Sequence, residues 1–207
     1  MEAQKKKDVR LMSLDALRGF DMLFIMGLAG WVVAVCDFFP DAGFMQWLSG
    51  QMGHVKWNGL AHHDTIFPLF LFVAGISFPF SFAKQRASGK SMQSIYYKII
   101  KRGIVLVLLG CVYNGIFRLD FENMRYASVL GRIGLAWMFA ALLFASFKTS
   151  INVVISIVIL VGYCLLLWLI PDASDPYSFE NHLVGAIDRV LLPGRLNERT
   201  FDLEGLF

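Results

Sequence analysis

Apolar residues in this chain are gathered into blocks rather than spaced at strand or surface-helix intervals. Five blocks, at roughly 14–36, 66–83, 97–117, 127–147 and 151–170, each approach the ~20 residues that a spanning helix needs. They predict an all-α fold, a polytopic transmembrane helical bundle of about five spans over 14–170. The first block is a retained helix rather than a cleaved leader, because it is too long and carries Asp15, Arg18 and Asp21. Between blocks, 37–63 forms a long loop. The segment 171–207 lies beyond the last block, and "NHLVGAIDRVLLPG" places Leu183, Ile187 and Leu191 on one face of a short amphipathic helix ending at Pro193-Gly194. The chain closes on "FDLEGLF" without a polar ending, so a truncation from a longer protein is expected.

Composition sharpens this picture and excludes an ordinary soluble domain. Of 207 residues, 57% are hydrophobic and only 17% charged, with a mean hydropathy of +0.57. Lys and Arg are unevenly spread. Lys5, Lys6, Lys7 and Arg10 lie in a basic arm at 1–13, and Lys84, Arg86, Lys90, Lys98, Lys101 and Arg102 follow the second block, whereas the loop 37–63 holds only Lys56. The positive-inside rule then puts the N-terminus in the cytoplasm and the loop 37–63 on the outer face. Five spans would leave 171–207 outside as well, where Asp172, Asp175, Glu180, Asp188, Glu198, Asp202 and Glu204 outnumber Arg189, Arg195 and Arg199. Cys36, Cys111 and Cys164 fall in or at the ends of three different spans and form no disulfide framework. The net charge of +3 belongs to the cytoplasmic loops, and no basic-aromatic face points to nucleic acid.

Polar residues in such a chain need reasons. Asp15, Arg18 and Asp21 are three apart and read as one stripe, either a structural ion pair or an arginine that reaches a phosphate-bearing ligand from the cytoplasm. The "HHD" triplet invites a metal reading, but adjacent His62 and His63 point to different sides of a helix and no HxxxH spacing accompanies them. No metal is expected, and both histidines are set aside as bystanders. Asp64 suits the start of a helix before Phe67-Pro68, with His54 or Arg132 as the group it would orient. His54, ten residues earlier in a loop with Trp57, Asn58 and Gly59, is a candidate proton acceptor. Arg132, read as about a turn and a half inside the fourth helix, needs a partner, with Asp64 and Asp188 as candidates. Asn114 offers a polar group to the bundle interior, and Arg118, Asp120, Glu122 and Arg125 read as a solvated outer turn.

The segments "RLMSLDALRGFDMLFIM", "HVKWNGLAHHDTIFPLFLFVAGISFPFS", "VLGRIGLAW", "GAIDRVLLPG" and "DLEGLF" together resemble, in order, the heparan-alpha-glucosaminide N-acetyltransferase family and its bacterial homologues. The resemblance implies a multi-pass membrane enzyme that takes acetyl from cytosolic acetyl-CoA, as donor substrate, and delivers it to an amino-sugar amine on the far side. The family's active-site histidine falls on His54, and Asp15, Arg18, Gly19, Trp57, Gly59, Asp64, Pro68, Arg132, Asp188 and Arg189 also match its pattern. His54 and Asp64 are thus the expected catalytic residues, and Arg18, Trp57, Arg132 and Asp188 the expected substrate and donor contacts.

The expected partners are an amino-sugar or glycan acceptor and the lipid bilayer, with a homo-oligomer left open. The expected location is a bacterial inner membrane. Family members have about twice as many helices, so the chain resembles an N-terminal half and could be inactive alone. Two alternatives stand beside this reading. One is an acyltransferase acting on sugar hydroxyls, whose family opens with a similar Leu-Asp-x-Leu-Arg-Gly stretch. The other is a non-enzymatic transporter or scaffold with Asp15, Arg18 and Arg132 along a substrate path. Whether histidine acts as base or first accepts the acetyl group also stays open.

Overall fold

The computed structural model describes residues 12–120, 124–169 and 183–191. Most of the basic arm, Glu122 and the acidic tail on either side of 183–191 lie outside them, as do Pro193-Gly194 and "DLEGLF". Among the described residues the regular elements are helices: α1 (Met12–Leu23), α2 (Ala29–Cys36), α3 (Gly43–Gln51), α4 (His62–Ala87), α5 (Met92–Tyr113), α6 (Val129–Ser146), α7 (Thr149–Leu169) and α8 (Leu183–Leu191). This is a helical membrane bundle.

Among the described residues, four runs are long and apolar enough to cross a bilayer: Met12–Cys36, His62–Ala87, Val129–Ser146 and Thr149–Leu169. The third of the five expected blocks falls outside this set. It does form a 22-residue helix, but Lys98, Lys101 and Arg102 occupy its first half and the uninterrupted apolar stretch begins only at Gly103. The helix also ends at Tyr113, earlier than 117, because Gly115 turns the chain with φ +93°.

The chain divides into two compact units, Met1–Val73 and Ala74–Phe207, with the division inside α4. In the first unit, α1 and α2 form one run interrupted by a π-helical turn at Phe24–Leu28, where Gly27 takes φ +131°. Gly27 makes this turn a kink between two helices. The outer loop expected at 37–63 is partly structured, since α3 occupies Gly43–Gln51. α4 begins at His62 rather than near 66, because polar side chains in its first turn satisfy the free backbone groups there.

In the second unit the most extensive helix pairing joins α5 to α6. It is built on small residues. A Cβ at Gly103 would run into Met138, one at Gly134 into Leu106, and one at Gly110 into the Ser128 hydroxyl, so glycine is what lets the two backbones approach. Ile95, Ile99, Phe78, Trp137 and Ala141 form the buried core beside this seam. Phe78 and Phe144 meet edge to face, as do Phe78 and Trp137. Ser128 caps α6 by accepting from the Gly131 N–H. Asn114 differs from its expected role in the bundle interior. It closes α5, and its carboxamide donates to the carbonyls of Arg125 and Ala127, which holds the α5–α6 connection.

Candidate active site

The start of α4 is built by three local bonds. The Gln51 side chain, at the end of α3, accepts the His62 N–H at 3.0 Å. Thr65 donates to the His62 carbonyl at 2.7 Å. Asp64, the third residue of the helix, reaches back so that Oδ2 accepts the Ala61 N–H at 2.9 Å and the Val55 N–H at 3.4 Å. This is the acidic half of a capping box, and the helix N-terminus favours the negative charge.

With Oδ2 held by backbone, Oδ1 is left for His54, whose Nδ1 lies 2.7 Å away. An ionised carboxylate only accepts, so Nδ1 carries a proton, and in the neutral imidazole Nε2 then keeps its lone pair. The aspartate side chain is 20% exposed and the histidine 65%. The pair therefore has a sheltered anchor and an open imidazole. A second restraint comes from His63, whose ring meets that of His54 edge-on at 4.7 Å between centroids. Gly59 shapes the intervening loop with φ +128°, a conformation that side chains rarely adopt.

On the other side of the first turn of α4, His62 lies against Phe24 at 4.5 Å and faces the edge of Phe20 at 6.5 Å. The opposed directions of His62 and His63 agree with their adjacent positions on a helix. Asp21, three residues before Phe24 on the same run, is only 2% exposed. Among the described residues, Asp21 Oδ2, His62 Nδ1 and His63 Nδ1 are buried without a hydrogen-bond partner.

The remaining expected site residues are distributed between the two units. Arg18 pairs with Asp15 at 3.6 Å on an exposed part of α1. Asp21 does not share that stripe: each step of three residues falls about 60° short of a full turn, so two steps carry it roughly 120° away from Asp15. Trp57 is half-buried in the loop beside His54. Arg132 and Asp188 belong to the second unit. Arg132 lies in the first turn of α6 rather than a turn and a half within it, because the helix starts at Val129. Asp188 is fully buried on α8, and both residues are engaged by other groups of the protein.

The structure brings the expected His54 and Asp64 together with His63, which the sequence set aside along with His62, and it buries Asp21, which the sequence grouped with Arg18. The available signal was a lone acid deep in a spanning block, which is costly unless used.

The profile of the family described as "Heparan-alpha-glucosaminide N-acetyltransferase, catalytic" matches residues 10–179. The chain is 25% identical over 146 residues to the mouse heparan-alpha-glucosaminide N-acetyltransferase, covering 69% of this chain and 20% of the relative. With the human protein of the same name the identity is 27% over 138 residues, covering 65% and 19%. The chain thus spans about a fifth of the length of these curated relatives. A match over most of the sequence, on a bundle with four spanning helices, places this chain in the heparan-alpha-glucosaminide N-acetyltransferase family of membrane acetyltransferases, in its catalytic region.

Proposed function

We propose that this chain carries the acetyl-transfer centre of an enzyme that moves acetyl from cytosolic acetyl-CoA to the amine of an amino sugar on the outer face of the membrane. The observation that carries this reading is the His54–Asp64 pair, with Asp64 fixed by two backbone N–H groups and the His54 side chain 65% exposed.

The chemistry follows from that pair. A neutral amine attacking the thioester carbonyl develops positive charge on nitrogen, and Nε2 takes the proton as the C–N bond forms. Asp64 stabilises the resulting imidazolium without accepting its proton, and the same contact keeps Nε2 directed outward. As the tetrahedral intermediate collapses, His54 returns the proton to the departing sulfur. The exposed Nε2 also suits an acetyl-histidine route, which a rapid acid quench with labelled donor distinguishes by trapping label on protein. Arg18, paired with Asp15 on α1, is a proposed contact to phosphate of the donor. Arg132, Asp188 and Trp57 are proposed contacts to the donor or acceptor.

The test uses the full-length protein in membranes with labelled acetyl-CoA and glucosamine. Loss of label transfer in His54→Ala supports the reading, and equal transfer in variant and parent overturns it.

A further inference from the structure

We infer that Asp21 and His62 form a proton-accepting subsite that receives the ammonium group of the acceptor, separate from the His54–Asp64 pair. The inference rests on the amino-sugar acetyltransferase reading above and adds to it a residue pair that the reading does not use.

The first observation is the state of Asp21. It is 2% exposed in the run Met12–Cys36, and its Oδ2 accepts no hydrogen bond among the described residues. A buried carboxylate oxygen with no donor has unmet acceptor capacity, and within a spanning helix such a group generally marks a substrate or proton path. The second observation is His62. Its Nδ1 is likewise buried without a partner, and its ring rests at 4.5 Å on Phe24, three residues along the helix from Asp21. Phe20 and Phe24 meet edge to face at 5.1 Å, so aromatic carbon borders the two polar groups. Carboxylate, imidazole and aromatic faces together suit a primary ammonium rather than an anion or a neutral hydroxyl. The third observation is location. His62 adjoins His63, whose ring contacts His54, so both polar pairs converge on the first turn of α4. The π turn beginning at Phe24 interrupts the helix between Asp21 and the outer end of that run.

Proton accounting gives the subsite a task. Overall, R–NH3+ and acetyl–S–CoA give R–NH–acetyl, CoA–SH and one free proton. The amine must lose its first proton before it can attack, since the ammonium nitrogen has no lone pair. His62 Nδ1 takes that proton, and Asp21 stabilises the imidazolium. The neutral amine then forms the C–N bond as the C–S bond breaks, and His54 carries the second N–H proton to the sulfur. The proton left on His62 is the one released. The titratable groups facing this region from α1 and α4 are Asp21, His62, His63 and Asp64, with His54 from the loop.

The test compares Asp21→Asn and His62→Gln with the parent in the full-length membrane protein. Acetyl-CoA and glucosamine are supplied over a pH series that ends where the free amine is already neutral in bulk. At neutral pH, kcat/KM for glucosamine is expected to fall ~10-fold in each variant, since an amine with a pKa of about 8 is only about one-tenth neutral at pH 7. The KM for acetyl-CoA stays at the parent value. The deficit then shrinks toward unity at the high-pH end, where no ammonium needs deprotonating, and a merely structural role would not produce that recovery. Parent-like activity of His62→Gln at neutral pH, or a deficit constant across the series, overturns the subsite. His54→Ala separates the two claims. If His54→Ala is inactive while Asp21→Asn and His62→Gln behave as the parent, only the subsite falls; if His54→Ala is as active as the parent, the underlying reading falls.

Discussion

Asp64 divides its two oxygens between different tasks: Oδ2 is held by the Ala61 and Val55 N–H groups, and Oδ1 lies 2.7 Å from Nδ1 of His54. The carboxylate thereby belongs at once to the helix start and to the imidazole. A residue that only capped the helix would leave His54 free to rotate, and one that only paired with His54 would itself lack a fixed direction.

Asp64→Asn preserves shape but offers His54 a group that can donate as well as accept. If the amide NH2 turns toward Nδ1, the imidazole proton moves to Nε2 and the lone pair faces the wrong way. Acetyl transfer is expected to fall ~10²–10⁴-fold, the span for lost general-base assistance. The KM for acetyl-CoA should hold. Steady-state rates over an acceptor series check this, and parent-like kcat in Asp64→Asn would show that the contact is structural only.

Gly59 supports the same pair from the loop. At φ +128° a Cβ is strained whatever the room around it, and this one would also sit 3.4 Å from Val55 Cγ1. Gly59→Ala is expected to cost about 1–3 kcal/mol in loop conformation and to lower kcat through displacement of His54. Gly53→Ala is the control, because Gly53 has ordinary backbone angles and a Cβ there would meet nothing within 4 Å. Comparable activity of the two alanine variants would mean that the loop adjusts without moving His54.

The spanning blocks were legible in the sequence because apolar length is a property of composition, and the His54–Asp64 pair was legible as two polar residues beside one block. Their contact was open in the sequence only as one of two roles for Asp64, to orient His54 or Arg132, and the structure shows the first. It depends on the turn at Gly59 and on Asp64 taking the third position of α4, and both are set by hydrogen bonds between residues apart in sequence. Asp21 was misplaced for a different reason: residues three apart resemble one stripe over a single step but drift around the helix over two. The π turn at Phe24–Leu28 left no trace, since glycine in an apolar run is compatible with a regular helix. α5 shows the limit of block reading in the other direction, where basic residues in the first half of a real helix break the apolar count.

The α5–α6 seam makes a stability prediction independent of chemistry. A methyl group at Gly134 would approach both Leu106 and the Gly103 carbonyl, and one at Gly110 would overlap Ser128, which caps α6. Overpacking of this kind costs about 1–3 kcal/mol. Gly134→Ala and Gly110→Ala should each lower the thermal unfolding midpoint in detergent. Gly162→Ala, on α7 with open space around it, should leave that midpoint unchanged or raise it. The contrast matters because alanine favours a helix at all three positions, so a loss at the seam alone isolates the close approach of the backbones.

The orientation assigned to the active site rests on α4, and two positions at its ends test it. The helix has 26 residues, which at 1.5 Å each gives roughly 39 Å, enough to cross the hydrocarbon core of a bilayer. Gly53 precedes it and Ser88 follows it, and both are exposed, so a spanning α4 must put them on opposite faces. Lys84 and Arg86 in its last turn direct the Ser88 end to the cytoplasm by the positive-inside rule. In a background with Cys36, Cys111 and Cys164 replaced, Gly53→Cys should react with a membrane-impermeant maleimide added to intact cells, and Ser88→Cys only after the membrane is opened. The reverse pattern would place His54 in the cytoplasm, where it meets acetyl-CoA but no external sugar. The acceptor would then have to be cytosolic, although the chemistry of the His54–Asp64 pair would be unchanged. Labelling of both positions from outside would mean that α4 does not span.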